Sequence, residues 1–192
     1  MKTPMKIATV ILAAALPGVA AAHTGLGDIG GFASGFAHPL LGADHLLAML
    51  AVGVWARQQG GRAVWAIPTA FVAAMLLGGA LALNGVGLPF VEQGIAVSVV
   101  LMGLVVATAL RLPTVVGAGL VGLFAIFHGH AHGSEMPLAA SAAGYAAGFV
   151  VATALLHGLG VLAADLGRRG PALLVRAAGA CVALSGAWMA LA

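Results

Sequence analysis

Charge is what this sequence has least of. Of 192 residues, eight are lysine or arginine and five are aspartate or glutamate, 7% in all. An ordinary soluble domain carries about a quarter, so these few charges cannot clothe a water-facing surface. Cysteine occurs once, at Cys181, which excludes an internal disulfide and a cysteine-rich metal cage. No glycine-rich loop ends in Lys-Ser or Lys-Thr, so the chain itself hydrolyses no ATP. No His-Glu-x-x-His helix is present, and besides Asp44 no carboxylate lies deep in an apolar run, which argues against a metallohydrolase. The pI is near 9.8, but the basic residues are few and fall in short connections between apolar runs, so there is no basic face for nucleic acid. What remains is 62% hydrophobic, with a mean hydropathy of +1.11. Several apolar runs approach the roughly 20 residues that a helix needs to cross a bilayer.

Residues 1–22 read as a cleaved signal peptide. Lys2 and Lys6 form the basic region, Ile7 to Leu16 the short apolar core, and Ala20-Ala21-Ala22 the small-residue cleavage site. Cleavage there leaves His23 as the first mature residue, with an amine and an imidazole able to chelate together. Residues 23–192 then form a single six-span transmembrane domain, with spans near 29–56, 63–83, 91–110, 112–128, 137–164 and 170–191. The expected fold is all-α, a polytopic membrane helical bundle. Arg57, Arg62, Arg111, Arg168, Arg169 and Arg176 fall in or beside alternate connections, and the other connections hold no Lys or Arg. The positive-inside rule puts those arginines in the cytoplasm and both termini in the periplasm. Asp28, Glu92 and Glu135 then lie near the outer surface, where acids favour approach of a cation. Gly31-x-x-x-Gly35 and Gly144-x-x-x-Gly148 let helices approach closely. Packing within the chain is the plain reading, and a homo-oligomer through the same faces is the other.

Seven histidines stand against this background. His38-Pro-Leu-Leu-Gly-Ala-Asp44-His45 lies within the first span. Imidazoles and a carboxylate in hydrocarbon are costly, and they mark ion sites or polar pathways. On an intact helix His38 and His45 stand about 10 Å apart along the axis, too far for one ion. Pro39 removes a helical hydrogen bond and Gly42 adds backbone freedom, so a break there can draw His38, Asp44 and His45 together. His128-Gly-His130-Ala-His132 closes the fourth span, and the spacing predicts an outer capture site of two or three nitrogen ligands. In a helix, His128 and His132 share a face. His157 lies alone, about 30 Å of helix rise into the fifth span, against about 24 Å for His45, as a stepped pathway requires. Histidine with carboxylate suits Ni²⁺, Co²⁺, Zn²⁺ and Cu²⁺ better than Mg²⁺ or Ca²⁺.

The motif His38-Pro39-x-x-Gly42-x-Asp44-His45 resembles the first-span signature of the HupE/UreJ family of bacterial nickel and cobalt permeases. The signal peptide, His23, the His128–His132 tract and Thr153-Ala-Leu-Leu-His157-Gly resemble that family too. The resemblance implies uptake of Ni²⁺, or of Co²⁺, across the bacterial inner membrane. The metal is then substrate, with no tightly bound cofactor and no enzymatic activity, and the histidines and aspartate of the motif are essential. A haem-binding electron carrier using His38, His45, His128 or His157 is the alternative from another class; a visible absorption band decides it. A non-transporting metal-binding subunit of a larger membrane complex is another.

Overall fold

The computed structural model describes residues 31–137, 140–168 and 170–191. The signal peptide at 1–22 and His23 lie outside the described residues. Among these there are seven helices: α1 (Gly31–Leu41), α2 (Ala43–Gln59), α3 (Ala63–Leu83), α4 (Val91–Thr108), α5 (Thr114–Ser134), α6 (Ala142–Gly167) and α7 (Ala172–Leu191). Five of them, α3 to α7, are each long and apolar enough to cross a membrane. The pair α1 and α2 meets the same criterion only when taken together, across a bend of 82°. The protein is therefore a multi-pass helical membrane bundle. Its periphery is apolar, with Trp65, Val115, Leu173, Leu184 and Trp188 all facing outward, as lipid-facing side chains must.

The bend follows from the sequence. Pro39 sits inside α1 and has no N–H to give. Gly42 then adopts an extended conformation (φ −90°, ψ 119°) and starts α2, its carbonyl accepting from the Leu46 N–H at 2.9 Å. The kink expected near Pro39 is thus a full break one turn later. The fourth span differs more from expectation. It runs to Ser134 rather than ending near 128, and all three histidines of the tract are helical.

Close helix approach explains that extension. Lipid offers helices no hydrophobic drive to associate, so small residues that let backbones touch carry the packing. The most extensive pairing is α3 with α5. A Cβ on Gly129 would collide with the Met75 carbonyl, and one on Gly78 with the Ile126 carbonyl. Gly133 likewise sits 2.7 Å from the Gly79 carbonyl by the same measure. The last turns of α5 are therefore zipped to α3, and the histidines they carry are held inside. The Gly31/Gly35 and Gly144/Gly148 faces pack against each other, joining α1 to α6 within one chain.

The arginine-bearing connections gather at one end of the bundle. There Arg57 Nε donates to Asp165 Oδ1 at 2.7 Å, tying α2 to α6. Trp55 Nε1 donates to the Leu110 carbonyl at 2.9 Å, and Arg176 Nε to that of Ala107 at 2.7 Å. The opposite end holds the 84–90 connection and the end of α5.

Replacing Gly129 with alanine should destabilise the protein by about 1–3 kcal/mol, the usual cost of overpacking a tight contact. Gly119→Ala is the control, since a Cβ there meets nothing within 4 Å. Thermal unfolding of both variants in detergent checks this; equal midpoints would show that α3 and α5 can separate without cost.

Candidate metal centre

Two backbone features bring the histidines together. The break at Gly42 swings α1 away from α2, so His38 and His45 approach one place from different directions. The extension of α5 carries His128 and His132 along one helix face into the same place. The rings form a continuous line. His38 lies edge-on to His132, with ring centroids 4.6 Å apart. His132 lies 4.1 Å from His45, and His45 4.7 Å from His128. Phe71 follows at 5.7 Å from His128, and His157 stands 5.0 Å beyond it.

Exposure falls along this line. Glu135 and His38 form its mouth, with side chains 48% and 28% exposed. His38 Nε2 and Glu135 Oε2 are 3.2 Å apart. His38, His132 and Glu135 can each offer a ligand atom within 4.8 Å of the others. Glu135 lies beyond the last residue of α5, and the hydrogen bond from His38 holds its carboxyl below the ordinary range. Its sign is that of a depressed acid: the interaction is present above the ordinary carboxylate pKa and lost only as pH falls through the lowered value. The mouth therefore keeps a negative charge at any pH at which imidazoles are neutral. Further in, His45, His132, His157 and His128 are all buried, His128 completely.

Asp44 has a different place from the one its spacing suggested. Its Oδ1 accepts both the backbone N–H of His45 and the His45 ring at Nδ1, each at 2.8 Å. The carboxylate is in the first turn of α2, where the helix dipole also favours it. An ionised carboxylate only accepts, so His45 Nδ1 carries the hydrogen and Nε2 is left as a bare donor atom. His38, Asp44 and His45 are thus not one cluster: His132 stands between the two histidines. His130 is turned aside, its Nε2 donating to the Val86 carbonyl at 2.8 Å. The tract expected as an outer capture site is buried, His128, His130 and His132 alike.

Six buried ring nitrogens have no hydrogen-bond partner among the described residues: His45 Nε2, His128 Nδ1, and both nitrogens of His132 and His157. A buried polar atom left unpaired costs about 1–3 kcal/mol. Such a concentration on one line is the mark of a functional interior rather than a packing core. A neutral imidazole has one bare nitrogen, so these four rings can offer four nitrogen ligands of the kind that borderline divalent ions prefer.

Sequence reasoning placed Glu135 only near the tract, as a surface acid. Its pairing with His38 depends on the α1 break and the α5 extension together, which spacing cannot show. Ser98, in the middle of α4, was missed; the sole signal was a hydroxyl in an apolar run.

The chain is thus a multi-pass helical membrane protein with a buried line of imidazoles that opens at a carboxylate, where His38, His132 and Glu135 could hold a metal ion. The family described as HupE / UreJ protein matches residues 10–189. Protein HupE of Rhizobium leguminosarum bv. viciae is 50% identical over 184 residues, covering 95% of each chain. No solved structure matches. The chain belongs to the HupE/UreJ family. Its function is accordingly of the nickel- and cobalt-uptake type, and it is a transporter rather than an enzyme.

Adding a methyl group at Gly42 tests the geometry of the Asp44–His45 pair. A Cβ there would lie 2.9 Å from Asp44 Oδ1 and 3.1 Å from His45 Nδ1, while the backbone conformation suits alanine. Gly42→Ala should fold, and its Ni²⁺ affinity should fall about tenfold, the lower end for disturbing a ligand's supporting partner. Calorimetric titration of the purified protein measures this; unchanged affinity would mean that the pair does not set the site.

Proposed function

We propose that the chain is a secondary permease that takes Ni²⁺, and Co²⁺ with it, across the bacterial inner membrane. In this reading residues 1–22 are removed, the bent pair α1–α2 counts as one of six spans, and both termini face the periplasm. The observation that carries the reading is the line of unpartnered imidazole nitrogens running inward from Glu135 and His38. The metal is cargo. It is captured by His38, His132 and Glu135, handed to His45, His132 and His128, and passed beyond Phe71 to His157. Asp44 serves by orienting His45 and by placing one fixed negative charge beside the path. His23, as the first mature residue, would add a further ligand. His130 anchors the 84–90 connection and is not a ligand.

Neutral rings and modest charge suit conduction, which needs several sites of limited affinity rather than one deep well. The driving force needs no nucleotide. A divalent ion moving inward gains about 4.6 kcal/mol per 100 mV of inside-negative potential, at 2.3 per charge. Arginines collected at one end fit the cytoplasmic side of this orientation.

Uptake of radiolabelled Ni²⁺ into cells expressing the chain, with Co²⁺ as competitor, is the direct experiment. His132→Ala should lower uptake at least tenfold with membrane levels intact, because His132 belongs to both the mouth and the inner cluster. His130→Ala should lower protein level more than apparent affinity. If the two effects are reversed, the path runs through the 84–90 connection instead.

Uptake should also fall as external pH drops through the imidazole range. Metal binding needs neutral histidine, whose ordinary pKa is about 6.5. Glu135 stays ionised over that window, so the loss reports the rings and not the acid. Rates taken with the membrane potential clamped test this; a flat profile from about pH 8 to about pH 5 would mean that proton competition at the solvent-exposed mouth does not limit uptake, since burial itself disfavours the charged form of an imidazole.

A further inference from the structure

Ser98 is buried on α4, an apolar helix that contributes no histidine. Its hydroxyl has one hydrogen and two contacts. The Ile95 carbonyl lies 2.6 Å from Oγ. A carbonyl oxygen only accepts, and two oxygens at that distance without a hydrogen between them would repel, so the hydroxyl hydrogen points there. The second contact is His128 Nε2, at 2.8 Å. With its hydrogen committed, Oγ can only accept from that nitrogen, so Nε2 must carry the ring hydrogen. A neutral imidazole has one ring hydrogen. His128 Nδ1 is then a bare lone pair, fully buried and without a partner. The His128 ring packs against those of His45, at a centroid distance of 4.7 Å and an interplanar angle of 89°, and Phe71.

Asp44 does the converse to His45, holding Nδ1–H and freeing Nε2. Neighbouring histidines are thus fixed in opposite tautomers by two different helices. In each the ring hydrogen is engaged by a partner and the bare nitrogen is buried without one. A random pair of buried histidines has no reason to be so arranged, and a hydroxyl in an apolar span has no packing advantage over alanine.

We propose that Ser98 is a positioning residue for transport: it holds His128 in the Nε2–H tautomer so that Nδ1 is presented to the transported divalent cation. This rests on the reading of His128 as a ligand given above. Ser98 touches no metal; it acts through the ring. Partners of this kind typically govern 10–100-fold in metal affinity when removed.

The test uses the full chain in lipid bilayers, with ¹⁵N-labelled histidine. His128 signals are assigned by their loss in His128→Ala. Wild-type His128 should show a protonated Nε2 and a bare Nδ1 that shifts on adding Ni²⁺. Ser98→Ala should mix the tautomers and weaken Ni²⁺ binding 10–100-fold, and Ser98→Thr, which keeps the hydroxyl, should restore both. Ser98→Cys preserves volume with a weak acceptor, so it should behave like the alanine variant even if the latter folds poorly. A Ser98→Ala protein with the wild-type tautomer and wild-type affinity would overturn the proposal. So would equal losses in the alanine and threonine variants with the tautomer unchanged, which would mark a packing role. If His128→Ala binds Ni²⁺ like the wild type, it is the ligand reading of His128 that fails, and Ser98's part falls with it. Impaired His128→Ala beside unimpaired Ser98→Ala sinks only the role of Ser98.

Discussion

At Gly42 the first helix stops and the chain turns through 82° before α2 begins. An unbroken span would keep His38 and His45 on one helix face, each able to meet only what lies across from its own level. The turn lets His38 reach Glu135 and His132 near one end of the bundle, while His45 comes upon His132 from α2. His132 is therefore shared between two groups. A break in a span is tolerated only where the freed backbone is covered by protein or lines a polar interior. Here Gly42 is spent on starting α2, and its missing side chain leaves room for the Asp44–His45 pair directly above.

The break is held open by α6. Each half of the broken span has its own seat on that helix. For α1 the seat is Gly148, against the Phe32 backbone, answered by Gly35 against that of Tyr145. For α2 it is Gly160, against Leu50, answered by Gly53 against His157. The two seats are about 18 Å apart along the axis, so α6 fixes both halves at once and sets the angle between them. The same packing fixes His157, because its own carbonyl is the surface on which Gly53 rests. The helix that clamps the bend therefore also carries the deepest histidine, and a change in the bend would move both ends of the imidazole line together.

Much of this was legible in the sequence, for reasons that differ from residue to residue. Apolar length sets the helices, so the 63–83 span matches α3 end to end. Pro39 and Gly42 announce a break, because the loss of an N–H and of a Cβ are local facts. The end of α5 was misplaced because a Gly- and His-rich stretch reads as a polar exit. What keeps it helical is Gly129 and Gly133 lying on α3, and that is a tertiary fact. The same ignorance left the burial of His128 and His132 unforeseen and hid the turning aside of His130. Glu135 and Ser98 could not be assigned from spacing at all. Each acts on a histidine of another helix, and a sequence states neither which helices touch nor in what register.

The distribution of charge along the line has a physical logic of its own. Carboxylates occur at Glu135, where solvent still screens, and at Asp44, where the start of a helix and two N–H donors stabilise the charge. Beyond them the donors are neutral. A fully ionised ligand set around His128 and His157 would bind a divalent ion too firmly to release it, and would be prohibitive to bury when empty. Neutral imidazoles avoid both problems, provided that their hydrogens are directed away from the cation's place. That condition makes the tautomer of each ring a structural requirement equal in weight to its position. On the proposed reading, it is why a serine and an aspartate, neither needing to touch the metal, belong to the interior as much as the histidines they hold.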